Sequence, residues 1–253
     1  MVVALVAFVA GSNGLGGHRI QAAPRMQQTT TPASSGASNL QGPGSHQNDP
    51  GALKQLRLFA EKGNADAQYE LAHAYDDALY GVTRDYAEAM KWCRLAAAQG
   101  QAMAQMALGE RYRAGNRGVA QDFGEALKWY RLAAAQGIAN AQFSLGEFYS
   151  QGLGAPQDYA EAVKWFRLAA VQGHGFAQAQ LGTCYRDGQG VAQNYVLALM
   201  WWSLAAANPG AGETRRSSVH TRDQLAAKMT AAQIAEAQEL LVKCQASNYR
   251  NCG

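Results

Sequence analysis

Four tryptophans constrain this chain more than any other feature. Trp92, Trp129, Trp165 and Trp201 stand 37, 36 and 36 residues apart, and the text around each recurs. The stretch from Asp122 to Ala133 (DFGEALKWYRLA) aligns without gaps on Asp158 to Ala169 (DYAEAVKWFRLA) and on Asp85 to Ala96 (DYAEAMKWCRLA); the copy from Asn194-Tyr195 is looser. A second block precedes each: Ala67-Gln68, Leu71, Tyr75; Ala104-Gln105, Leu108-Gly109, Tyr112; Ala141-Gln142, Leu145-Gly146, Tyr149; Ala177-Gln178, Leu181-Gly182, Tyr185. A fixed period of this size marks an array of one supersecondary unit. No unit buries its own apolar face, so neighbours must stack.

Each block reads as a helix. Alanine and glutamine are plentiful and β-branched residues are sparse after residue 50, which favours helix. Asp85, Asp122 and Asp158 take the N-cap position with Glu88, Glu125 and Glu161 three residues on, the spacing of a capping box. Gly115, Gly152 and Gly188 stand where first helices must end, and Gly100, Gly137 and Gly173 where second helices must. At about 100° per residue, Ala67, Gln68, Leu71, Ala72 and Tyr75 share one side of the first helix. Tyr86, Ala89, Met90, Cys93, Ala96 and Ala97 share one side of the second, with Trp92 at its edge. The small residue after each leucine (Ala72, Gly109, Gly146, Gly182) allows the paired helices a close approach.

The flanks differ from the repeats. Residues 52 to 63 align on Ala126 to Gly137 with Gln55 in the tryptophan position, which predicts a half-repeat (51–63) capping the array with a more polar face. Full repeats are expected at 64–100, 101–137, 138–173 and 174–208. A helical cap is expected within 212–243, strongest from 222, with Thr230 as N-cap and Gln233 three residues on. Asn208 to Ser218 is expected to be an irregular connection. Residues 24–50, rich in Thr, Ser, Gly, Pro, Gln and Asn, read as a flexible linker. Residues 1–23 hold an apolar run (Val2, Val3, Leu5, Val6, Phe8, Val9) too short for the ~20 residues of a membrane span. It suits the core of a secretory signal, with Ala22 and Ala23 near a cleavage site. No lysine or arginine precedes it, so a start placed downstream of a missing basic end, or an apolar tail that is no signal, stay open.

Ala-Gln, Leu-Gly, Tyr, Gly-x-Gly-Val, Asp, Glu-Ala, Lys-Trp and Gln-Gly, repeated at 36 to 37 residues over about residues 52 to 243, resemble the Sel1-like repeat family, related to the tetratricopeptide repeat. The first copy departs at Leu79-Tyr80-Gly81-Val82, where the others carry two glycines. The fourth lacks the Lys and Glu beside its tryptophan. The resemblance implies an all-α, right-handed α-solenoid of helix pairs with helical caps, used as an adaptor surface, often in exported bacterial proteins. It also implies a second class of function. Some cysteine-rich relatives have been described as binding or hydrolysing β-lactams, but they carry a cysteine pair in every repeat and this chain does not. A periplasmic regulator of a membrane sensor is a third option.

Of the four cysteines, Cys93 and Cys184 fall at core positions of the first and fourth repeats, which do not touch in a solenoid, and are expected to be buried free thiols. Cys244 and Cys252 lie eight residues apart at the chain end. A bridge there is worth roughly 2–3 kcal/mol in the chain-entropy model and suits an oxidising, periplasmic or secreted location. With no His or third Cys near, a metal site there is not expected.

No catalytic motif is present. There is no Ser-x-x-Lys, His-Glu-x-x-His or Cys-x-x-Cys, and the glycines between Gly11 and Gly17 follow no strand. The formal charge of +3, without a continuous basic stripe, argues against nucleic acid. Three basic pairs, Lys91/Arg94, Lys128/Arg131 and Lys164/Arg167, tempt a reading as an anion ladder. They point away from the core, and Glu88, Glu125 and Glu161 can pair with the lysines. A better candidate is the stripe opposite the constant face of the first helices, which changes from copy to copy. It reads Asp66, Tyr69, His73; then Met103, Met106, Glu110; then Asn140, Phe143, Glu147; then Phe176, Ala179, Thr183. Lining the concave side, these residues suit a protein or peptide partner with apolar anchors and some basic residues; drift on a solvated face or packing between first helices is the alternative. The expectation is a monomeric, non-enzymatic binding scaffold with no cofactor, metal or membrane span.

Overall fold

The computed structural model describes residues 50–208, 212–247, 249 and 252. The apolar run and most of the polar stretch, where a signal and a linker are expected, lie outside the described residues. Among those described are eleven α-helices and one short 3₁₀ turn, Leu79–Gly81, and no strand. The first helix, α1 (Pro50–Glu61), is followed by four pairs: α2 (Ala65–Asp77) with α3 (Tyr86–Ala98), α4 (Ala102–Ala114) with α5 (Phe123–Ala135), α6 (Ala139–Gln151) with α7 (Tyr159–Ala170), and α8 (Gly175–Asp187) with α9 (Tyr195–Ala207). Two cap helices follow, α10 (Gly212–Ala226) and α11 (Ala231–Ala246). From α1 to α9 each helix packs chiefly on its sequence neighbours, the pattern of an α-solenoid, and α11 packs back on α9.

Pairing within a repeat rests on a fit between a small residue and a ring. A methyl group on Gly109 would lie 2.6 Å from the ring of Tyr130, and one on Gly182 2.6 Å from that of Trp202; Gly146 stands likewise under Phe166. The first repeat reverses the sizes, with Ala72 and Cys93 in one buried cluster. Stacking between repeats rests on a glutamine ladder. Buried Gln68, Gln105, Gln142 and Gln178 donate to the carbonyls of Ala60, Ala97, Ala134 and Ala170. Gln99, Gln136 and Gln172 in turn donate to the amide oxygens of Gln68, Gln105 and Gln142.

The aspartate caps are present, but not as capping boxes. The Asp85, Asp122 and Asp158 carboxylates accept from the backbone N–H of Glu88, Glu125 and Glu161. The reciprocal bond has no donor to meet, because each cap's own N–H already donates to the carbonyl of Tyr75, Tyr112 or Tyr149 at the end of the preceding helix. The glutamates turn to Lys91, Lys128 and Lys164 instead. Among the described residues, a complete box opens α11 at Thr230/Gln233.

The fourth repeat lacks that Glu and Lys because its outer face is covered. Met200 stands where the lysines stand and is fully buried, since α10 and α11 both pack on α9. The equivalent leucines make the same point. Leu58, Leu95, Leu132 and Leu168 are between 43% and 48% exposed, whereas Leu204 is 3% exposed. The expected irregular stretch up to Ser218 is corrected: helix resumes at Gly212. Its composition is poor for a helix, but Arg215 donates to the Ala206 carbonyl and Ser218 is buried, so tertiary packing overrides weak propensity. Cys244 and Cys252 form a disulfide that closes the chain end on α11, while Cys93 and Cys184 are buried and free.

Candidate functional site

Of the basic pairs, the arginines brace neighbouring repeats and the lysines do not. Each lysine is exposed and paired within its own helix, an arrangement of little energetic weight. Each arginine reaches forward to the next first helix: Arg94 to the Tyr112 hydroxyl at 3.2 Å, Arg131 to Tyr149 at 2.5 Å, and Arg167 to Tyr185. Arg57 of α1 does the same to Tyr75 at 3.1 Å. These struts explain the constant tyrosine, a role that self-alignment alone did not reveal.

The variable stripe divides into two kinds of surface. On α2, Asp66 and His73 are exposed and Tyr69 half-buried. His73 bonds the Tyr69 hydroxyl at 3.2 Å and the Asp77 carboxylate at 3.3 Å, so this part is satisfied within its own helix. On α4, Met103 is exposed, Met106 packs against the second-repeat core, and Glu110 accepts from the Tyr130 hydroxyl at 2.7 Å and from Arg113 at 2.6 Å. On α6 and α8 the stripe is different: Asn140 is exposed, but the residues beyond it converge.

There, Phe143, Glu147, Phe176 and Thr183 line a groove of about 270 Å³, closed on one side by Trp202 of α9 and by Ser217 and Thr221 on α10. Its floor is aromatic. Phe143 stacks on His174 at 4.6 Å and lies 5.9 Å from Phe176, which is 51% exposed. His174 caps α8, its Nδ1 accepting from the Ala177 N–H at 3.2 Å, and burial holds its pKa below the ordinary value. The ring is therefore a neutral platform. Ala179 is half-buried beneath, its carbonyl taking the Trp202 indole N–H at 3.1 Å and the Thr183 hydroxyl at 3.3 Å. Arg186, also on the wall, is tied to Asp187 and lies 5.4 Å from the Trp202 ring centre.

Glu147 is the charged member without such a tie. Burial pushes its carboxyl up, the nearby Arg113 opposes this, and Glu110 adds to it. A desolvated carboxylate among Phe143, Phe176 and Trp202 gains most from a cation that also presents apolar surface. No nucleophile–base pair accompanies it. The two free thiols are each pushed up to about 11 by burial, which keeps them protonated. No group of metal-ligating side chains occurs among the described residues. His174, Trp202, Ser217 and Thr221 were not legible as site residues, because the fold of α10 onto the array decides their role.

A run of stacked helix pairs, capped at both ends and grooved along its first helices, defines a repeat scaffold of the α-solenoid class. The family model of the Sel1 repeat matches residues 65–101, 102–138, 139–174 and 175–209, and the chain belongs to the Sel1 repeat family. Among solved structures it is similar to c5321 of uropathogenic Escherichia coli, described as a protective antigen with an SLR fold. That likeness runs at 44% identity and TM-score 0.60 over 62% of this chain and 33% of that one. It is also similar to a Sel1 repeat protein from Oxalobacter formigenes, at 30% identity and TM-score 0.60 over 79% of this chain and 72% of that one. This chain thus spans about one third of the E. coli protein. No curated protein matches. No helix among the described residues is long and apolar enough to cross a membrane.

Proposed function

We propose that the chain is a non-enzymatic adaptor that holds a partner protein along its first-helix stripe, taken as the concave face. The groove between α6, α8 and α10 is the principal anchor. One observation carries this reading: Glu147, half-buried and in no direct ion pair among the described residues, stands in a groove walled by Phe143, Phe176 and Trp202. Such a groove suits an extended peptide with an arginine or lysine flanked by apolar side chains. Repeat arrays of this family generally serve as protein-interaction scaffolds, and the constant glutamines, arginines and tyrosines bond one repeat to the next. An exported location is supported by the Cys244–Cys252 disulfide and by the likeness to a protein described as an antigen. We infer a monomer, with neither cofactor nor nucleic acid as partner.

The test begins with crosslinking in the native host and identification of the captured protein by mass spectrometry. The partner is then titrated against variants. Phe143→Ala should weaken it by about 30-fold, the consequence of losing an anchor worth about 2 kcal/mol, and a Tyr69→Ala, Met106→Ala, Phe143→Ala triple variant should lose it. Full-strength binding by the triple variant would sink the proposal. Glu147→Gln separates site from scaffold. Because burial raises the Glu147 pKa, ionisation is opposed in the folded chain, and stability from this group falls as pH rises through that pKa. The Gln variant should therefore be no less stable at neutral pH, while binding a basic peptide more weakly.

A further inference from the structure

A second groove, sharing no residue with the first, opens where the second repeat's loop crosses the start of α3. In the third and fourth repeats this crossing is tight. A methyl group on Gly154 would collide with the Phe123 carbonyl, and one on Gly190 with the Tyr159 carbonyl. The equivalent Gly118 has nothing within 4 Å. The cause is in the sequence. Six residues separate Gly115 from Asp122, but five separate Gly152 from Asp158 and Gly188 from Asn194. The extra residue leaves Arg117 in the left-handed region (φ 55°), a strained conformation for a side chain of its size. The lifted loop leaves a cavity of about 510 Å³ between Tyr86, Met90, Arg94, Tyr112, Arg117 and Asp122, of a size that holds a small ligand or a few side chains.

The charge around it is unbalanced. Arg117 lies 3.4 Å from the Asp76 carboxylate and 5.8 Å from the Tyr86 ring centre, and is 43% exposed. Asp76 is already neutralised by Arg111, with both groups buried, so Arg117 is a second cation for one carboxylate and can swing outward without stranding it. Arg94 spends one N–H on the Tyr112 hydroxyl and keeps its others. The one carboxylate on the wall, Asp122, accepts the backbone N–H of Glu125 as a helix cap. Two guanidinium groups flanked by two tyrosine rings thus face a solvent-open cavity with too little negative charge to match them. We propose that this groove binds a carboxylate-bearing segment of a partner, an acidic peptide whose Asp or Glu side chains pair with Arg94 and Arg117 against Tyr86 and Tyr112.

The test uses the full chain and a short fluorescein-labelled peptide of alternating Glu and Ala, with its Gln counterpart as control, followed by anisotropy. The Glu peptide should bind at low salt and weaken as salt screens the contacts, and the Gln peptide should not bind. Arg117→Gln should weaken binding by at least about tenfold, one lost charge-assisted pair. Removal of Asn116, which restores the five-residue loop, should abolish it with helical content unchanged. Equal binding of the two peptides, or unaltered binding by Arg117→Gln, overturns the proposal. So does loss of the Glu peptide in Phe143→Ala, which would place it in the other groove, whereas retention there supports it.

Discussion

The junction between the first and second repeats and the junctions that follow it join the same backbone unit by two different chemistries. Where the second repeat meets the first, Asp76 and Arg111 form a buried ion pair, and Cys93 lies in a core cluster with Ala72. One junction further on, Arg111's counterpart is Phe148, which meets Phe123 and Tyr130 edge to face at 5.9 and 5.2 Å. There the helix pairs close by glycine under a ring. The aromatic junction is held by buried rings that rely chiefly on shape. The ionic one leaves Asp76 Oδ1 and Arg111 Nη1 buried without hydrogen bonds and carries a surplus guanidinium at its rim. Regular backbone does not imply uniform stability, and the less satisfied junction is also the one with a lifted loop.

The sharpest way to break this comparison is Asp76→Ala, which strands Arg111 in the core. Removing one partner of a buried pair costs about 3–5 kcal/mol. In an array the loss should stay near the altered junction. The two buried thiols report it locally, since both are held protonated and shielded in the closed form. Under native conditions Cys93 should be alkylated on the order of a hundredfold faster in the variant, with Cys184 little changed. Equal acceleration of both thiols would mean that the array opens as a single unit. Adding Arg111→Phe, which copies the next junction, should restore most of the loss in urea unfolding, because apolar replacement of a buried pair is often neutral or better.

The parts that self-alignment exposes are those the copies share: helix boundaries, the side-chain N-caps and the small residue that lets paired helices approach. Asp76 and Arg111 escaped it for a physical reason. Each is a departure in its own column, Asp76 aligning with Arg113 and Ser150, Arg111 with Phe148 and Cys184. Only stacking brings one column of a repeat against another column of the next. The anchor groove escaped in part for the same reason. Phe143, Glu147, Phe176 and Thr183 stand out as variable first-helix positions, but their closing wall comes from α10, whose sequence is weakly helical and whose place depends on the apolar outer face of α9. The extra residue in the second loop was visible as a spacing of 37 against 36, while the cavity it opens was not.

A smaller effect tests the size reversal inside the repeats. Gly109→Ala pushes a methyl group into the Tyr130 ring; overpacking of this kind costs roughly 1–3 kcal/mol, offset in part by a gain of about 1 kcal/mol in helix propensity. The mirror change, Ala72→Gly, removes a methyl group from the Cys93 cluster and costs about 1 kcal/mol, chiefly through helix propensity. Chemical denaturation should show each variant less stable than the parent, the first through strain and the second through lost propensity. A Gly109→Ala variant more stable than the parent by about 1 kcal/mol, the full propensity gain, would show that Tyr130 yields freely, although its hydroxyl is anchored on Glu110.

The smallest expected effect is a gain, and it lies at the opposite end of the array from the ion pair. The glutamine ladder runs from Gln68 to Gln142 with each amide oxygen accepting from a glutamine of the following second helix. It stops at Gln178, whose Oε1 is buried without a hydrogen bond. The residue in the donor's place is Asn208, one methylene shorter, and its side-chain N–H₂ donates to the Gly173 carbonyl at 2.6 Å. The longer side chain of Gln136 meets both needs, bonding the Gly100 carbonyl and the Gln105 amide oxygen at once. Asn208→Gln should therefore keep the existing bond and satisfy Gln178, stabilising the fourth repeat by about 0.5–1.5 kcal/mol. Slower alkylation of Cys184, with the Cys93 rate unmoved, is the expected reading. A loss of stability would show that the end of α9 at Asn208 has no room for the extra methylene, and that the ladder ends here for reasons of packing.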